Sequence, residues 1–142
     1  MSATLDERPG GHVLLLDEHR VTQLLVELRA IRLLTYSLND ALELRVGVPF
    51  TLRQADGEPR RIDPAEPEQL APLLTLVGRR AEALDVAARG AIEVAFSDGT
   101  LLSVDPHPRQ EAWQLQGAGG LEGLVYRSPP GGGRPWTRVS GP

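Results

Sequence analysis

One tight turn set between two alternating runs constrains this chain more than any other feature: "AIEVAFSDGTLLSVDP", Ala91 to Pro106. Ile92, Val94 and Phe96 fall on one side of an extended chain and Glu93 and Ala95 on the other, since strand side chains alternate with a period of two. After Asp98-Gly99 the alternation resumes, with Leu102 and Val104 opposing Leu101 and Ser103. Asp-Gly is a strong hairpin signal because the primed two-residue turn needs positive φ at its centre. A second tight turn, Arg89-Gly90, lies just upstream, with a further strand-like run before it. Residues 81–106 therefore read as a three-stranded antiparallel meander.

The first half repeats this order. In "RVTQLLVELRAIRLLTYSLNDALELRVGVPF", Arg20 to Phe50, one run ends near Arg29-Ala30 and a second spans Ile31 to Ser37. Asn39-Asp40 then turns, and Leu42, Leu44 and Val46 alternate. The shared order suggests a duplicated meander. Val21, Leu24, Leu25, Leu28 and Ile31 also satisfy helical spacing, but the β-branched Val21, Thr22 and Val26 favour strands.

Between the halves, Leu70, Leu73, Leu74 and Val77 have helical spacing, with Asp63-Pro64 as a start signal and Gly78 as a stop. Pro67 and Pro72 each remove a backbone donor. The expectation is a short broken helix, its first turn near Glu66 and its main piece over 71–77, with its leucines against a sheet face. The expected fold class is α+β and β-rich: two antiparallel β-meanders joined by that helix, with late strands around Trp113, Val125 and Trp136. Residues 1–10 are expected to form a flexible tail, 11–139 a single β-rich domain, and 140–142 a second tail.

Composition removes several chemistries. The chain of 142 residues has no cysteine, which excludes disulfides, thiolate metal sites and a cysteine nucleophile. All fifteen basic residues are arginine, so no Schiff base, lysine base or P-loop lysine exists. A net charge of −4, with no aromatics interleaved around Arg60-Arg61 or Arg79-Arg80, argues against a nucleic-acid partner. The start "MSATLDERPGG" is acidic and the apolar runs are short, so neither a signal peptide nor a membrane span is read, and a cytoplasmic location is expected.

The densest pattern is "FSDGTLLSVDPHPRQEAWQL", Phe96 to Leu115. Asp98 is read as a turn residue. Asp105-Pro106-His107-Pro108 ends a strand, because alternate prolines stop ladder pairing, and leaves His107 exposed. Glu111 belongs to an outer face or to an arginine such as Arg109. Trp113 alternates with Gln114 and plugs the sheet's apolar face in preference to stacking on a ligand. His12 and His19 match no metal-ligand spacing. The Gly-rich runs 117–123 and 129–134 lack phosphate-loop context. No catalytic residue, metal or cofactor is assigned. The binding candidates are Trp113, Glu111, His107 and Trp136.

That stretch, followed by "GG" and "PPGG" and preceded in order by "RVTQLLVE", "PFTLRQADGE", "IDP" and "LAPLLTLVG", resembles a family of small domains of unknown function from GC-rich actinobacteria. The resemblance covers about residues 19–136, implies the strand reading of residues 20–50, and brings no activity with it. The expected function is a non-enzymatic protein-binding or regulatory module with a protein partner, and a homodimer through an edge strand is one way to hide its open edges. Three alternatives stand beside it. One is an immunity-like inhibitor of a toxin, by analogy of outline. The others are a small-ligand binder and an acid/base enzyme using Glu111, Asp105 and His107. The last requires those three side chains to converge in one pocket.

Overall fold

Alternating apolar residues become strands throughout the molecule. The structure, a computed structural model, describes residues 3–139, so the expected tail at 140–142 lies outside the described residues. The strands are, in chain order, β1 (Ala3–Arg8), β2 (Gly11–Leu16), β3 (Arg20–Val26), β4 (Ile31–Ser37), β5 (Asp40–Val46), β6 (Phe50–Arg53), β7 (Arg60–Ile62), β8 (Ala81–Ala87), β9 (Ile92–Phe96), β10 (Leu101–Val104), β11 (Trp113–Gly119), β12 (Leu124–Arg127) and β13 (Trp136–Val139). They form two sheets. The first has the order β1-β2-β8-β9-β10-β6-β7 and the second β13-β12-β11-β5-β4-β3.

Both expected meanders are present, one in each sheet: β8-β9-β10 in the first and β3-β4-β5 in the second. Residues 20–26 and 31–37 are strands, as the β-branched residues indicated. The strand after each meander crosses to the other sheet. β6, following β5, pairs with β10, and β11, following β10, pairs with β5. The two crossings are tied together where the Gly47 N–H donates to the Ala112 carbonyl at 3.0 Å.

Inward residues of both sheets form one core. Ile31, Leu33, Leu42, Leu44 and Val46 belong to the same buried cluster as Leu84, Val86, Ile92, Val94 and Phe96. Each fully buried aliphatic side chain contributes about 1.5–3 kcal/mol of transfer free energy. This burial on one face of each strand also fixes register, since a slip of one residue would expose the whole apolar set.

Three expectations are corrected. The connector is not an α-helix. It forms two 3₁₀ segments, Pro67–Gln69 and Ala71–Leu76, and no α-helix occurs among the described residues. The α+β expectation therefore gives way to two antiparallel sheets with almost no helix. With three residues per turn, the buried leucines are Leu70, Leu73 and Leu76, while Leu74 is 64% exposed and Val77 is also exposed. The connector leaves β7 at the edge of the first sheet and reaches β3 at the edge of the second. There Gly78 N donates to Val21 O at 2.7 Å, and Val21 N donates to Arg79 O at 2.9 Å. Second, residues 3–8, expected within a tail, pair with β2 from Ala3↔Leu16 to Arg8↔Gly11. Third, the Asp98-Gly99 turn is not a two-residue primed turn. Its loop is Ser97-Asp98-Gly99, with Gly99 N bonded to Phe96 O and Phe96 N to Thr100 O, and only Gly99 is left-handed, at φ +88°. Ala88-Arg89-Gly90 repeats that pattern, with Gly90 at φ +104°. Both are the three-residue hairpin loop in which a turn is closed by a left-handed glycine.

Candidate functional site

The motif-rich stretch builds a structural junction. Trp113 is 1% exposed, and its indole N–H donates to the Gly90 carbonyl at 2.9 Å. Onto the same turn folds the late loop, where Gly133 N donates to Arg89 O at 2.9 Å and Gly131 N to His107 O at 2.7 Å. A Cβ on Gly90 would meet Gly133 O at 2.9 Å and Pro106 Cβ at 3.3 Å, so the close approach requires glycine there. Buried Ser128 closes the junction by accepting the backbone N–H groups of Ala112 at 2.9 Å and Trp113 at 3.3 Å.

The three residues of the acid/base alternative are each engaged separately. Asp105 accepts from Arg89 Nη2 at 3.0 Å, and both side chains are well exposed. His107 Nδ1 accepts its neighbour's backbone N–H, Arg109 N, at 3.0 Å. Glu111 accepts from Arg127 Nε at 2.8 Å, so its arginine is Arg127 and not Arg109. Asp98 is held below the usual carboxylate range. Burial alone would raise it, but the Thr100 N–H and hydroxyl, with Arg79 nearby, outweigh that. No cluster of three or more histidine, aspartate or glutamate side chains able to hold a metal occurs among the described residues. Trp113 presents no open face to a ligand, which removes it as a stacking platform.

A cleft of about 390 Å³ lies elsewhere, between β2 of the first sheet and β12 of the second. Its volume is within the range of small-ligand pockets. The tip of the β1–β2 hairpin supplies Arg8 and Pro9, and the approach to β13 supplies Arg134, Pro135 and Trp136. Val86 and Ala88 add apolar surface. Trp136 is 55% exposed and is the one residue of the sequence-derived set found here.

Two polar rings face each other across this cleft. His12 pairs with Val86 across β2·β8 and therefore shares its face, and Tyr126 is buried on β12. His12 Nδ1 lies 2.8 Å from Tyr126 Oη, and the rings meet edge to face at 5.6 Å. Burial, helped by the charge of Glu7, pushes the Tyr126 phenol up to about 12. The hydroxyl thus keeps its proton and lies within hydrogen-bond distance of Nδ1, while Nε2 of the same ring lies 4.0 Å from Glu7 Oε1. Sequence reasoning missed this pair. Its members are 114 positions apart, and only the meeting of the two sheets, where β2 and β12 each lie one strand in from an edge, unites them.

The charges lining the cleft are of one sign. Arg8 and Arg134 contribute, and no aspartate or glutamate does among the described residues, although the chain carries more acids than bases. Arg8 has a loose exposed contact with Asp6 at 3.7 Å. Arg134 makes no ion pair among the described residues.

Comparison with curated proteins and with solved structures returns no match. The model of one family, DUF6188, a family of unknown function, matches residues 12–137, which span both meanders, the junction around Trp113 and the cleft from His12 to Thr137. The chain belongs to that family.

Proposed function

We propose that this chain is a non-enzymatic binding module and that the cleft between β2 and β12 is its binding surface. The observation that carries this reading is the composition of the cleft: two guanidiniums, an imidazole–phenol pair and a half-exposed indole around apolar walls, in a chain of net charge −4. A concave site with apolar walls and a few convergent polar groups is the usual form of a ligand site. The separate engagement of Asp105, His107 and Glu111 supports binding over acid/base chemistry, which needs its groups within hydrogen-bond reach of one substrate.

The test is a screen of small cationic, neutral and anionic compounds against the ¹⁵N-labelled chain. At least one compound is expected to move the backbone amides of His12, Ala88 and Thr137 saturably, with the Leu102 and Val104 amides unmoved. If no compound of any class shifts the cleft amides, the reading is lost.

A further inference from the structure

The geometry points to the chemical class of ligand: a carboxylate joined to a flat apolar group, its charge held by Arg134 and Arg8 and its body against Trp136. This rests on the reading of the cleft as a binding surface.

Charge complementarity gives the sign. Among the described residues, every ionisable group lining the cleft is an arginine, a histidine or a phenol that keeps its proton, so an anion meets two guanidiniums and no carboxylate. A cation would meet two guanidiniums with no lining carboxylate to offset them. The choice among anions follows from the donors. A guanidinium offers two parallel N–H groups that match the two oxygens of a carboxylate. Phosphate sites commonly add a cradle of several backbone N–H groups from a glycine-rich loop or a helix N-terminus. Here Pro9 and Pro135 contribute no N–H, and the Gly11 and Ala88 amides lie in the β2·β8 ladder and its turn, with Ala88 N already donating to Gly10 O at 2.8 Å. Arg134 is the principal anchor, since it has no competing carboxylate among the described residues, whereas Arg8 must loosen from Asp6.

The flat apolar body follows from the walls. Trp136 is large and half-exposed, and Pro135, Pro9 and Val86 extend the apolar surface beside it. An indole face favours stacking with another planar group. Two sources supply this chemistry, a free aromatic acid or the C-terminal carboxylate of a protein segment ending in an aromatic residue.

The experiment uses sodium 3-phenylpropionate on the full ¹⁵N-labelled chain, with 3-phenylpropionamide and inorganic phosphate as comparisons. The acid is expected to move the Ala88 and Thr137 amides saturably and the neutral amide to bind about tenfold or more weakly. Arg134→Gln should weaken the acid by a similar factor with the remaining spectrum unchanged, and Arg134→Lys should recover part of it. Phosphate acting at lower concentration than the acid, or an amide equal to the acid, overturns the inference. A neutral or cationic compound that fills the cleft while the acid does not also overturns it, yet leaves the binding reading in place. A peptide ending in phenylalanine carboxylate that binds more tightly than the free acid, and loses that on amidation, assigns a protein segment as the source. Binding of the free acid without the peptide assigns a small molecule.

Discussion

His19 is fully enclosed just before β3, its Nδ1 3.2 Å from the hydroxyl of Thr35, with Asp40 and Asp17 near enough to act on its charge. Burial lowers its proton affinity below the ordinary histidine value of 6.5, and the two aspartates only partly oppose that. The folded chain therefore holds His19 neutral where the unfolded chain has begun to protonate it. Between the lowered folded value and 6.5 the unfolded state binds more protons, so stability falls as pH drops through that window. At full linkage the slope is about 1.4 kcal/mol per pH unit. His19→Gln retains a hydrogen-bonding side chain and removes the titration, so urea unfolding of this variant should show a shallower loss of stability below pH 6.5 than the parent. An unchanged slope would show that His19 titrates alike in both states.

At the scale of the element, the connector shows how helix type follows from local chemistry. Pro67 and Pro72 lie at the first or second position of their 3₁₀ segments, where a missing N–H costs nothing. The bonds that form, Leu73 N to Leu70 O and Leu70 N to Pro67 O, span three residues. Leu76→Ala should accordingly cost about 2–5 kcal/mol, and Leu74→Ala no more than about 0.5 kcal/mol, both by urea denaturation. Equal costs would restore the helical spacing that Leu70, Leu73, Leu74 and Val77 suggested. Strand alternation was legible because burial on one face writes itself into every second residue, as Ile92, Val94 and Phe96 show. Helix type was not, because Leu70, Leu73, Leu74, Leu76 and Val77 fit either period. Loop length at Asp98-Gly99 was hidden too, since glycine satisfies several turn geometries. The cleft was the least legible part. Trp136 was singled out for its size, but nothing near His12 in the sequence points to Tyr126 or Arg134.

At the scale of the whole molecule, the reciprocal crossing of β6 and β11 makes neither sheet complete within one half of the chain. Without residues after the connector, β2 and β6 lose the β8-β9-β10 trio that separates them, and β5 loses β11. Residues 1–66 and 67–142 expressed apart should each give collapsed or aggregating material, because their unpaired strands expose apolar faces. Combined, they should recover the near-ultraviolet signature of enclosed Trp113, which a native-like fold of either fragment alone would contradict. Interlaced in this way, the protein is suited to fragment complementation: a break at exposed Glu66 would turn a single folding event into a bimolecular one, with stability that rises with fragment concentration.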